Sequence, residues 1–182
     1  MRAFLAIPLP DDVKPELLAI RDGVAGLHPV ASRNLHLTLN FIGEIDERTE
    51  ISVGVAVGKV TREHAPFQLE LARVGCFPNP THARVVWVGL ADGDMQAGAL
   101  VAGIEEALKP LGIAPERRAW HGHVTLGRFS QPHPVPLDVL DKSARLGRFW
   151  AEHVILYRSE LHSSGPVHTP LRRFFLSETA ST

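Results

Sequence analysis

From Asn34 to Ile42 the chain alternates with a period of two. Leu35, Leu37, Leu39 and Phe41 occupy one parity; Asn34, His36, Thr38 and Asn40 occupy the other. Successive side chains of a strand point to opposite faces, so this stretch suits a half-buried strand with its aliphatics in a core. His36 and Thr38 then share the opposite face, and Phe41, with the parity of the leucines, is expected in the core. The arrangement recurs in Gly122-His123-Val124-Thr125-Leu126. Each copy anchors itself through aliphatics and presents an imidazole beside a hydroxyl.

Two such strands facing one cleft bring two imidazoles and two hydroxyls around a common point. That set suits in-line displacement at phosphorus. One imidazole takes a proton from the attacking water and the other protonates the departing oxygen, because an ordinary imidazole pKa of about 6.5 lies close to working pH. The hydroxyls can donate to non-bridging oxygens where charge accumulates. No metal or cofactor is required. A single His-x-Thr in a strand is a weak signal; the duplication carries the argument.

The remaining patterning places these strands. Arg2 to Leu9 reads as a first strand ending in prolines, and Asp11-Asp12 starts a helix running to about Gly26. Asp46 to His64 is a second helix with acidic residues at its start, although its valine- and glycine-rich interior also fits a strand. Phe67 to Phe77 and Ala83 to Leu90 form a hairpin-like pair across Pro78-Asn79-Pro80-Thr81. Asp94 to Leu111 is a third helix, and Gly112 to Trp120 a loop before the strand His123 to Phe129. A short helix near Leu137 to Lys142 and strands at Phe149 to Tyr157 and Arg172 to Leu176 complete the chain. Strands and helices do not alternate strictly, which points to an α/β or α+β fold with mainly antiparallel pairing. One domain over residues 1–182 is expected, with a flexible tail at 177–182.

Composition narrows the functional classes. Hydrophobic residues make up 45% and charged residues 21%, enough to form a core without cross-links. The single Cys76 rules out an internal disulfide and suggests a reducing, cytoplasmic setting. The apolar run Ala3 to Pro8 is too short to span a bilayer and lacks a signal-peptide cleavage pattern, so no membrane partner is expected. A net charge of −1 argues against an extended nucleic-acid surface, but not against a pocket for one phosphate or one RNA end.

At these residues the sequence resembles the two-histidine (2H) phosphoesterases, specifically the RNA 2′,3′-cyclic phosphodiesterases also called 2′-5′ RNA ligases (LigT-like). The resemblance rests on HLTL at 36–39, HVTL at 123–126, and the surrounding RAFLAIPLP, NLHLTLNFIGEI, HVTLGRF and VILYRSEL. It implies an α+β, bilobal fold: two pseudo-symmetric lobes of antiparallel sheet with outer helices and a central cleft. It implies His36 as proton donor to the leaving oxygen, His123 as the base activating water, and Thr38 and Thr125 as phosphate ligands. The implied substrate is RNA with a 2′,3′-cyclic phosphate end, the implied product a 2′-phosphomonoester, and ligation of 2′-5′ RNA a reversible minor activity. A monomer is expected. The sequence departs from the family at Trp120-His121-Gly122, where an aromatic and a proline are common, and at His168, where relatives often carry tyrosine; Trp120 and His168 are candidates to line the nucleoside side of the cleft.

Other residues have two readings. Arg128 is odd-offset from His123 and would face away on a regular strand; a bulge at Gly127 would turn it toward the phosphate. The alternative for it is a structural ion pair. Trp120 could stack on a base or fill the core. His121 and His123 could chelate a metal, but no carboxylate or thiol lies near them in the strand. Arg117-Arg118 and Arg172-Arg173 suit a solvated surface or a basic cleft rim. Rival functions are a non-catalytic nucleotide- or RNA-binding module and a phosphodiesterase for small cyclic nucleotides.

Overall fold

The computed structural model describes residues 1–140, 145–163 and 165–177. In chain order the elements are β1 (Arg2–Pro8), α1 (Lys14–Asp22), β2 (His28–Pro29), β3 (His36–Glu44), α2 (Glu47–Arg62), β4 (Phe67–Phe77) and β5 (Ala83–Asp92). Then come α3 (Asp94–Leu108), β6 (His123–His133), α4 (Leu137–Leu140), β7 (Arg145–Ala151), β8 (His153–His162) and β9 (Gly165–Phe175). The strands form one antiparallel sheet in the order β7-β4-β5-β6-β3-β1-β8-β9, with β2 against β6. Among the described residues no helix is long and apolar enough to cross a membrane.

The sheet consists of two four-stranded halves. β7-β4-β5-β6 and β3-β1-β8-β9 meet at β6 and β3, where the paired residues are Leu37 and Val124. These are the residues between His and Thr in the two motifs, so the duplicated sequence pairs with itself and the junction is a pseudo-twofold axis. Both side chains are fully buried. The flanking pairings correspond as well. Pro8 and Ile7 of β1 pair with His36 and Leu37, as Gly89 and Val88 of β5 pair with His123 and Val124. Each half reaches its motif through a strand-helix-strand unit. α1 leaves β1 and packs on β6 of the other half; α3 leaves β5 and packs on β3 as well as β5. The helices therefore cross the junction that the strands bridge. This is the α+β bilobal architecture expected from the sequence.

Both motif strands carry the same irregularity. Leu5 pairs with Asn40 and Ala6 with Thr38, leaving Leu39 as the extra residue of a bulge. Val86 pairs with Gly127 and Trp87 with Thr125, leaving Leu126 in the same role. A bulge inserts one residue and inverts the alternation beyond it. Phe41 is therefore 61% exposed rather than buried, a correction to the parity reading, and Arg128 at the equivalent place is also exposed.

Several element boundaries also differ from the sequence reading. α2 is helical throughout, resolving the strand alternative: Asp46 Oδ1 accepts from the Thr49 amide at 2.7 Å, and Val53, Val57 and Val60 face the core. Its glycines let β9 lie close, since a Cβ on Gly54 would stand 2.9 Å from Arg172 Cδ. α1 ends at Asp22, and a 3-10 turn at Asp11–Val13 precedes it. β6 continues past Pro132 to His133. The stretch Phe149 to Tyr157 breaks at Glu152 into β7 and β8, which belong to different halves. β9 begins at Gly165, tolerating Pro166 and Pro170 at the sheet edge. Of the short helix, only Leu137–Leu140 lies within the described residues, and of the tail only Ser177, whose amide donates to Thr61 O at 3.2 Å.

The junction supplies the first test. Leu37→Ala should lower stability by about 2–5 kcal/mol, as truncation of a fully buried leucine does, whereas Phe41→Ala should change it by less than about 1 kcal/mol. Urea unfolding of both variants decides this; equal losses would contradict the assignment of Leu37 to the hinge of the two halves.

Candidate active site

His36 opens β3 and His123 opens β6, each at the end of a non-strand approach. Antiparallel pairing of Leu37 with Val124 sets His36 opposite Thr125 and Thr38 opposite His123. Side chains of opposed residues on one face stand about 4.5–5.5 Å apart at Cβ. All four groups are half-buried on the face away from the core leucines. The structure thus gathers the four residues that the sequence singles out around the single Leu37–Val124 pairing.

The two imidazoles are held identically. His36 Nδ1–H donates to the Asn34 carbonyl at 2.6 Å, and His123 Nδ1–H donates to the His121 carbonyl at 2.7 Å. A carbonyl only accepts, so both rings carry their proton on Nδ1 when neutral and keep the Nε2 lone pair for chemistry. The approaches are themselves tied down. Buried Asn34 donates from Nδ2 to Pro166 O at 2.8 Å, fixing the first approach to β9. Trp120 Nε1 donates to Thr38 O at 3.1 Å, fixing the second approach to β3. Gly122 lies under this indole: a Cβ there would stand 2.8 Å from Trp120 Cη2.

An aromatic wall flanks each histidine. Beside His36 lie Phe4 at 4.9 Å between ring centroids, His168 at 5.5 Å and Tyr157 at 6.3 Å. Beside His123 lie Phe77 at 5.5 Å, Trp87 at 6.0 Å and His121 at 6.2 Å. Gly75 is the seat of the Trp87 ring, which any side chain there would strike. His168 therefore lies on the His36 side, while Trp120 is partly buried and bonded to the scaffold. Phe4, Tyr157, Phe77 and Trp87 escape the sequence reading because they come from four strands and look like ordinary core residues. The one available signal is the position of Trp87 opposite a motif threonine, which requires the register.

Burial disfavours the charged imidazolium and holds His36 down to about 4; nearby His168 and His123 act in the same direction, while the bond to Asn34 opposes them. Burial also lowers His123, assisted by the charges of His121 and Arg128 and opposed by the His121 carbonyl. Arg128 is thus close enough for its charge to act on His123. Among the described residues it makes no ion pair, contrary to the structural alternative. His121 and His123 stack, and among the described residues no group of three His, Cys, Asp or Glu is placed to hold a metal. Cys76 is half-buried, its thiol pushed up by burial.

The LigT like Phosphoesterase family pattern matches residues 7–87. An RNA 2′,3′-cyclic phosphodiesterase of Archaeoglobus fulgidus is 32% identical over 96% of this chain and 99% of its own. A crystal structure of a Thermus thermophilus protein superposes with a TM-score of 0.86 at 30% identity, covering 98% of this chain and 100% of that one. Escherichia coli LigT complexed with 3′-AMP superposes with a TM-score of 0.82 at 26% identity, over 97% and 98% of the two chains.

The site electrostatics predict a sign for anion binding. A bound anion favours imidazolium, and His36 is neutral at pH 7, so anion binding takes up protons. The affinity for sulfate, which does not titrate in this range, should rise as pH falls from 7 toward about 4. Calorimetric titration across that range, with the His36 ring followed by NMR, checks it; an affinity independent of pH would contradict the coupling.

Proposed function

The chain belongs to the LigT-like, two-histidine phosphoesterases, and on that premise we propose that it opens 2′,3′-cyclic phosphates at RNA ends to 2′-phosphomonoesters. The observation that carries this reading is the pair of imidazoles flanking the Leu37–Val124 junction, each with Nδ1–H bonded to the carbonyl two residues earlier. Such a pair can accept one proton and deliver another without a metal in either step.

The two histidines take different parts. His36 sits against the wall of Phe4, Tyr157 and His168, which suits the nucleoside and so brings the ribose 3′-oxygen to His36. The His123 contact to its carbonyl is solvent-exposed, so water approaches from that side. Water attacks phosphorus as His123 Nε2 takes its proton; the P–O3′ bond breaks as His36 protonates O3′. The hydroxyls of Thr38 and Thr125 donate to the non-bridging oxygens, and Arg128 offsets the accumulating charge. The substrate phosphate also raises the pKa of His36 from its low resting value, so the acid is charged when it is needed. Replacing water by a 5′-hydroxyl gives 2′-5′ ligation by the same proton transfers, as a minor and reversible activity.

Incubation with a short RNA ending in a 2′,3′-cyclic phosphate, in excess EDTA, tests this. A 2′-phosphate end should form, and His36→Ala or His123→Ala should each leave less than about a tenth of the rate. Thr38→Ala and Thr125→Ala should cost at most about 10² to 10³. A 3′-phosphate product would overturn the regiochemistry. Turnover of nucleoside cyclic phosphates without turnover of RNA would move the assignment to small cyclic nucleotides.

A further inference from the structure

A cavity of about 670 Å³ contains neither His36 nor His123 in its lining. It lies where α3 faces β4 and β5, and its lining includes Trp87 and His121, the two rings that flank His123 at 6.0 and 6.2 Å. Trp120, bonded to Thr38 O, forms another wall. The volume falls within the range of about 300–1,000 Å³ typical of pockets that enclose small organic ligands.

Position and lining together define the ligand. In-line displacement puts the nucleophile opposite the leaving oxygen. The nucleoside of the cyclic phosphate sits on the His36 side, so whatever the attacking oxygen is attached to must extend past His123, toward this cavity. Water needs no such space. The aromatic rings of its lining offer stacking to a base of any identity. The charges are Arg73, Asp94 and Glu105, one cation against two carboxylates. The cation is already engaged: Arg73 adopts φ 63°, uncommon outside glycine, at a β4 bulge, and its guanidinium donates to Leu90 O at 2.7 Å. Such a lining offers acceptors to hydroxyl and amino groups and repels a phosphate.

We propose that this cavity is an acceptor subsite that takes an uncharged nucleoside with its 5′-hydroxyl directed at phosphorus. The proposal rests on the two-histidine reading above. The step balances without a further reactant: O5′ bonds to phosphorus and gives its proton to His123, and the P–O3′ bond breaks as O3′ takes a proton from His36.

Uridine 2′,3′-cyclic phosphate as donor, with adenosine or adenosine 5′-monophosphate as acceptor, tests it. Rising adenosine should slow hydrolysis and yield the 2′-5′ dinucleoside monophosphate, and should quench tryptophan fluorescence over the same range. The 5′-monophosphate should require at least tenfold higher concentration for the same quenching. Ala102→Phe, which fills the cavity from the exposed face of α3, should remove quenching and cut dinucleoside yield at least tenfold, with hydrolysis within twofold of wild type. Undiminished transfer in Ala102→Phe, equal binding of the two acceptors, or hydrolysis indifferent to adenosine would each overturn the subsite. Quenching by adenosine without any hydrolysis would leave the subsite standing and overturn the proposed function instead.

Discussion

The architecture depends on one cross-strand contact, Leu37 against Val124. Because these residues occupy the same place in two copies of one motif, their pairing fixes the pseudo-twofold and the placing of all four flanking polar groups. It also explains why the intervening residues are aliphatic. Only a side chain that turns fully into the core leaves both of its neighbours on the open face. The bulge after each threonine extends the same logic: Arg128 and Phe41 turn outward at equivalent positions, and the halves differ there in chemistry while agreeing in backbone.

Symmetry ends at the walls. The His36 side is walled by Phe4, Tyr157 and His168, whereas Trp87 and His121 beside His123 also line the cavity under α3. Burial follows the same division and depresses His36 further than it does its partner. His168 and His123 disfavour protonation of His36, and His121 and Arg128 that of His123. Under the proposed function a bound phosphate would reverse that balance, so that the substrate itself would assemble the charge state the chemistry requires. The near-neutral chain suits this local arrangement, in which recognition concentrates on one phosphate and the rings beside it.

Much of this was legible in the chain. His36, Thr38, His123 and Thr125 stand out because a period of two states which side chains share a face, and both copies obey it up to the bulge. Beyond the bulge the same rule misleads, which is why Phe41 reads as core; for Arg128 the rule names the condition, a bulge, that the strand meets one residue earlier, at Leu126. Apart from His168 the aromatic walls were not legible, because Phe4 and Tyr157 meet only through the pairing of β1 with β8. Nor was the passage of the chain from one half to the other, since nothing local to Glu152 shows that the strands on either side of it belong to different halves.

The central claim is that both histidines act on a single phosphorus held across the junction of the halves. A crystal structure with a nucleoside 2′-monophosphate tests it most directly. The account predicts one phosphate with the Nε2 atoms of His36 and His123 both within about 2.6–3.2 Å of its oxygens, the threonine hydroxyls on the remaining oxygens, and the base against Tyr157. A phosphate bound by one histidine alone, or seated in the cavity under α3, would contradict it.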